Sequence, residues 1–253
     1  MCHPDVPANW ETIQTDGSEV MLSLPSGEEM PALLVGRSGA PGVLLIGDVY
    51  GRSAFYEQLA SRIAAHGFQV VLPDYFFRQG PVIGDGQAAA FARRAQLDET
   101  QSVADMRAAV EWMREQSSHP AVGVIGFCMG GTFALDLAST EDDLVSVSYY
   151  GFPVPQASIV HPPTPPMDLV DELRGPVLAF WGDADETVGV EHIRRYIERA
   201  TLSNSRFRSE VLPGLGHAFL AAADLADPDD PATGTWNRTL AHLRSCLLEE
   251  ARP

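Results

Sequence analysis

An α/β fold with a mostly parallel central sheet and helices on both faces is what this sequence predicts, and three observations carry the prediction. Short apolar runs alternate with longer stretches of helical period along most of the chain, the pattern of successive βα units. The chain has 253 residues, 45% hydrophobic and 20% charged, which is enough for one sizeable core and points to a single domain. At residues 126–131 the run GFCMGG joins an apolar segment to a helical one through a glycine-framed turn.

Taken in order, Val20–Leu24 and Ala32–Val35 alternate in hydrophobicity around Pro25-Ser26-Gly27 and predict an antiparallel pair at a sheet edge. Gly42–Ile46, Gln69–Leu72, Val122–Ile125, Leu144–Tyr149, Val177–Phe180 and Ser209–Leu212 are short and apolar or β-branched, as buried parallel strands require. Helical periods lie between them, over Ala54–His66, Gln96–Gln116, Met129–Ser139, Val190–Ala200 and Trp236–Glu249. No internal repeat or interdomain linker interrupts the pattern.

Two loops stand out. Residues 79–86 (QGPVIGDG) and 152–167 (FPVPQASIVHPPTPPM) are rich in Pro or Gly and follow strands. That places them over the carboxyl ends of the sheet, where open α/β folds bind ligands. The second is long and carries Phe152, Val154, Ile159 and Met167, which favours a role in lining a site over a plain surface connection. The acidic stretch 224–234 reads as a solvated loop leading into a helix, since calcium-binding spacing is lacking.

Seventeen basic against 34 acidic side chains give a formal charge of −17, which repels phosphate backbones and anionic lipid surfaces. Nucleic acid and membrane are therefore not expected partners. Three cysteines, at 2, 128 and 246, form neither a disulfide framework nor a paired metal motif. With no basic and apolar leader in MCHPDVPANWETIQ and no apolar stretch of about 18 residues, a reducing, cytoplasmic setting is expected. Cys2 and His3 read as part of a loose terminus and Cys246 as a core residue of the last helix.

The chemistry concentrates at Cys128. AVGVI before it is a strand and TFALDLA after it a helix, so the cysteine occupies a sharp strand-to-helix turn of the nucleophile-elbow type, with sulfur in place of oxygen. Glycines two positions to either side avoid Cβ clashes, and the starting helix aims unpaired N–H groups at a developing oxyanion. A thiol nucleophile needs a base, and the base an orienting acid. His217 follows the strand SEVL and Asp185 follows the strand VLAF, in the order nucleophile, acid, histidine. Asp183 and Glu186 compete with Asp185 for the acid's place on spacing alone.

The GFCMGG elbow, the GDADETV acid loop and the GHAF histidine turn, with PDYFFRQ at 73–79, resemble the dienelactone hydrolase family from about Gly42 to the last helix. The resemblance implies an α/β-hydrolase fold, a Cys128–His217–Asp185 triad and no cofactor or metal. Its GxxDxxV acid motif matches Gly182, Asp185 and Val188 and favours Asp185 over Asp183. It also implies an oxyanion hole from the N–H groups of Met129 and Val49.

Two positions depart from the family's pattern. Where the family has a glutamate touching the resting thiol, this chain has the shorter Asp48, whose plainer reading is a turn residue. Of two arginines that clamp a substrate carboxylate in the family, Arg78 matches the first, or is simply a surface residue, and the second is Ala221. The expected function is hydrolysis of a small-molecule ester or lactone through a thioester, by a monomer or small homo-oligomer. A thioesterase, a natural-product esterase or a binding module with a vestigial triad are the alternatives.

Overall fold

The computed structural model describes residues 5–13, 16–156 and 161–249; Cys2, His3 and Ile159 lie outside them. The two alternating runs near the start form an antiparallel ribbon, β1 (Gly17–Ser23) and β2 (Glu29–Val35), with Val20 opposite Ala32. The buried parallel strands follow: β3 (Gly42–Ile46), β4 (Gln69–Pro73), β5 (Val122–Phe127), β6 (Leu144–Tyr149), β7 (Val177–Gly182) and β8 (Phe207–Leu212). They make one eight-stranded sheet in the order β1-β2-β4-β3-β5-β6-β7-β8, with β2 antiparallel to β4 and every pair from β4 to β8 parallel. This is the α/β-hydrolase architecture expected.

The helices are α1 (Ala54–Ala65), α2 (Gly86–Arg94), α3 (Glu99–Gln116), α4 (Met129–Thr140), a short α5 (Pro166–Leu169), α6 (Val190–Ser203) and α7 (Pro231–Arg244). Alternation along β3 divides the core. Val43 and Leu45 join Phe55 and Leu59 of α1 and Trp236 and Leu240 of α7, whereas Leu44 and Ile46 join Met106 and Val110 of α3 and Phe133 and Leu137 of α4. Full burial of each such side chain contributes about 1.5–3 kcal/mol, so both faces of the sheet must be covered.

Of the boundaries that differ from the sequence reading, those of two helices have a visible cause. The helix expected from Gln96 begins at Glu99, because Asp98 accepts the N–H of Gln101 at 2.9 Å and caps the helix there. The residues before it form a separate helix, α2, which the sequence reading left unassigned. The last helix starts five residues earlier than Trp236, at Pro231, where Asp230 accepts the N–H of Ala232 at 2.8 Å and proline occupies the first turn. It ends at Arg244 and widens into a π turn over Ser245–Glu249, which leaves Cys246 at the margin of the core and only partly buried. Among the described residues no helix is long and apolar enough to cross a membrane.

Candidate active site

Cys128 stands between β5 and α4 with φ 57° and ψ −117°, a conformation that costs a non-glycine residue about 1–3 kcal/mol. The surroundings hold it there. Its N–H donates to Tyr149 O at 3.0 Å on the neighbouring strand, and its carbonyl accepts from Thr132 N at 3.1 Å as the first turn of α4 closes. The close approach explains the glycines: a Cβ on Gly126 would lie 1.9 Å from Gly130 O, and one on Gly130 would lie 2.3 Å from Gly47 O. Cys128 is 5% exposed, and the N–H of Met129, at the first position of α4, has no intrahelical partner to meet.

His217 and Asp185 come to the same edge from β8 and β7. Asp185 Oδ2 lies 2.8 Å from His217 Nδ1, and since a carboxylate has no proton to give, Nδ1–H is the donor. The other oxygen, Oδ1, accepts the N–H groups of Thr187 and Val188 at 3.0 Å each. The acid loop and the histidine turn are also stitched directly, Ala184 N to Leu215 O at 3.0 Å and Gly214 N to Asp183 Oδ1 at 2.6 Å. Asp183 thus serves the turn, while the exposed Glu186 forms no bond to His217. The imidazole is flanked by the rings of Tyr150 and Phe152, with centroids 5.0 and 5.4 Å away. Tyr150 immediately follows Tyr149, the residue whose carbonyl holds Cys128, so the three chemical groups share one neighbourhood across β5–β8.

The loop after β3 carries Asp48 and Val49, both buried. Four consecutive carbonyls of this loop are taken by two residues that the sequence reading passed over. The Tyr75 hydroxyl donates to Gly47 O and Asp48 O at 3.0 and 2.5 Å, and Arg93 Nη2 donates to Val49 O and Tyr50 O at 3.3 and 2.8 Å. Tyr50 N is bonded to Asp48 Oδ1 at 2.9 Å and Gly51 N to Asp48 O at 2.7 Å, while the Val49 N–H has no protein partner among the described residues. Burial, then the negative charge of Asp48 and Cys128 nearby, pushes the Tyr75 phenol well above its usual range, so it remains a donor. In the sequence, Tyr75 reads as one aromatic of the PDYFF run and Arg93 lies in a stretch assigned to no element; neither pattern signals a loop clamp.

Arg78 is placed differently from the expectation. Its guanidinium is gripped by Glu28 (2.7 Å) and by the fully buried Asp105 (2.5 Å), with Nε, Nη1 and Nη2 all engaged. Two carboxylates on one guanidinium leave a net negative cluster, so a substrate carboxylate would have to displace one of them. Ala221 is buried one turn beyond His217, in the core. Of the two Pro- and Gly-rich loops, Gly80, Pro81 and Val82 face a concavity with Tyr50 and Arg52, whereas Phe152, Val154 and the prolines that follow wall a second cleft reaching Thr132 of the nucleophile helix.

The dienelactone hydrolase family model matches residues 30–247. The chain belongs to the dienelactone hydrolase family. It is a hydrolase acting on carboxylic ester bonds. It is 32% identical to a carboxymethylenebutenolidase of Rhodococcus opacus, over 98% of both chains, and 30% identical to carboxymethylenebutenolidase 2 of Cupriavidus pinatubonensis, over 98% of this chain and 99% of that one. A crystal structure from Klebsiella pneumoniae, provisionally named a dienelactone hydrolase, superposes with a TM-score of 0.79 at 24% identity, over 90% of this chain and 98% of that one, and shares the fold. The family model's match begins at Met30, in β2, and runs to Leu247.

Proposed function

We propose that this dienelactone hydrolase family member cleaves a small ester or lactone by acyl transfer to Cys128. The observation that carries the reading is the 2.8 Å Asp185–His217 pair, held at the same sheet edge as a strained cysteine elbow. In the first step the Cys128 sulfur bonds to the substrate carbonyl carbon while its proton passes to His217. The carbonyl oxygen becomes an oxyanion and accepts hydrogen bonds from the N–H groups of Met129 and Val49, fixed in advance by α4 and by the Tyr75 and Arg93 clamps.

Collapse breaks the carbon–oxygen bond, His217 protonates the departing oxygen, and a thioester remains. Water, giving a proton to His217, attacks the thioester, and as the carbon–sulfur bond breaks His217 returns that proton to the sulfur, releasing the acid and restoring the thiol. Asp185 keeps the imidazole in the Nδ1–H tautomer, so the other nitrogen does the proton transfers, and it stabilises the imidazolium formed between steps. Asp48, buried in the loop after β3, is the acceptor this reading assigns to the resting thiol. No cofactor takes part, the chain acts as one domain, and a reducing cytoplasmic setting keeps the thiol available. A lactone suits the site because ring opening leaves the alcohol tethered to the acyl group.

The test is turnover of a panel of aryl esters and lactones by the wild type beside Cys128→Ala and His217→Ala. Loss of about 10³-fold or more in kcat/KM in each variant is expected, with the circular dichroism spectrum retained. Full activity in either variant would overturn the triad, and an inert wild type with an unreactive Cys128 would favour a binding module.

A further inference from the structure

The sheet ends at β8, whose far side pairs with no strand among the described residues. In a parallel ladder, alternate residues of a strand turn both N–H and C=O to the same neighbour. Arg206 O and Leu212 O accept from Val177 N and Asp183 N on the β7 side, so the even-numbered residues of β8 face β7, and Ser209 and Val211 turn their backbone groups outward. Nothing in the strand guards that edge. FRSEVL has no lysine and no proline, its register with β7 runs without a bulge from Phe207 to Leu212, and Val211 is 38% exposed.

Two copies can pair along this edge only where outward residues oppose one another. A two-fold axis through Ser209 sets Ser209 against itself and Phe207 against Val211, and it brings Arg208 of each copy opposite Glu210 of the other. The two Ser209 residues then exchange N–H and C=O bonds. Each Val211 N–H meets Phe207 O of the other copy, since Phe207 N is already bonded to Asn204 O at 3.0 Å. An axis through Glu210 would oppose two glutamates, and one through Arg208 two arginines.

The charges are placed for the first of these registers. Arg208 Nη1 lies on Ser205 O and Phe207 O at 2.8 Å each, which holds the guanidinium at the open edge. Glu210 is tied to Arg238 at 2.6 Å, and a carboxylate can accept from two cations at once. Residues 190–212, which form α6 and β8, carry five arginines against three glutamates, so this part of the surface lacks the acidic excess of a chain whose charge is −17. At the other end of the sheet, β1 has Glu19 as its one charged residue, held by Arg52, so no register of β1 with itself creates an opposite-charge pair.

We infer that two copies of this chain associate by antiparallel pairing of their β8 edges about a two-fold axis at Ser209, with two Arg208–Glu210 ion pairs across it. The paired strands run in opposite directions, so the two catalytic edges face away from each other and each copy keeps its own Cys128, His217 and Asp185. Association of this kind holds whether or not the chain hydrolyses esters.

Sedimentation equilibrium over a micromolar concentration series is expected to give twice the mass of one chain. Ser209→Pro removes an outward N–H without touching the β7 ladder and should leave a monomer with the circular dichroism spectrum of the wild type. Arg208→Glu opposes like charges and should weaken association by about tenfold or more; adding Glu210→Arg restores the opposite pairs and should recover most of it. Ser209→Cys, with Cα atoms about 5.5 Å apart at the axis, should form a disulfide between copies under mild oxidation, whereas Val211→Cys should not. Should the proline variant fail to fold, the charge exchange and the two cysteine variants decide. A wild type that sediments as a monomer, a dimer indifferent to both Ser209→Pro and Arg208→Glu, or cross-linking through Val211→Cys in place of Ser209→Cys would overturn the pairing.

Discussion

Asp185 and Asp136 are both sealed from water, 0% and 2% exposed, and the structure treats them in opposite ways. Asp185 lies in the loop after β7, where backbone N–H groups are not committed to the sheet; Thr187, Val188 and His217 all turn toward its oxygens. Asp136 lies in the middle of α4, where each N–H already serves the carbonyl four residues back, and neither of its carboxyl oxygens has a partner among the described residues. Burial, and then the charge of Glu99, pushes the Asp136 carboxyl well above the usual range. A buried carboxylate can be used only where the chain has donors left over, and in this fold those are the loops at the carboxyl edge of the sheet.

The largest way to break this contrast is Asp185→Asn. The amide keeps the size of the side chain but presents a donor or a weaker acceptor to His217, so kcat/KM on an aryl ester is expected to fall by about 10³- to 10⁴-fold, read by steady-state kinetics. A loss of less than tenfold would mean that the three hydrogen bonds around Asp185 serve only the loop.

Next comes Asp136→Asn, which acts on stability. The Asp136 carboxyl titrates higher in the folded chain than in the unfolded one, so as pH rises past the unfolded value of about 4 the unfolded chain ionises first and folding loses free energy. The contribution of a neutral Asp136 is complete below that value and is lost as pH rises toward the folded one. Asparagine does not titrate, so the variant should melt about 5 °C higher than wild type at pH 8 and level with it near pH 4. Equal melting temperatures at both pH values would show that Asp136 has found donors in solution.

The smallest effect belongs to Tyr196, whose hydroxyl is also buried without a partner among the described residues and is raised in pKa by burial and by the Asp136 charge. Tyr196→Phe removes a group that gains nothing from burial, so chemical denaturation should show a change of less than about 1 kcal/mol, in the stabilising direction. A destabilisation of 2 kcal/mol or more would sharpen the comparison the other way, by revealing a hydrogen bond from Tyr196 to Asp136.

Much of the sheet was readable because its signals are local. Gly42–Ile46 is a run of apolar residues with no alternation, and it is β3, covered on both faces. The elbow was readable for the same reason, since the glycines at 126 and 130 answer contacts within the turn and with the strand beside it. Helix α2 was not, because GQAAAFARR is short and has a single large apolar residue, Phe91, which stays exposed; in the fold Arg93 and Arg94 are both buried. Arg78 misled in the reverse sense: its place in PDYFFRQ matched a family pattern, and its partners lie 50 residues before it and 27 after it.

The sequence by itself determined the order of the strands and of the helices other than α2 and α5, the turn that carries Cys128, and the loops that carry Asp185 and His217, because each depends on periodicity or steric demands within a few residues. The tertiary structure decided which acid meets the histidine, which residues clamp the Val49 loop, and which arginine is tied to two carboxylates. Most of those contacts join residues tens of positions apart, and it is the β2-β4-β3-β5-β6-β7-β8 strand order, fixed by the packing of the whole core, that brings them within hydrogen-bond range.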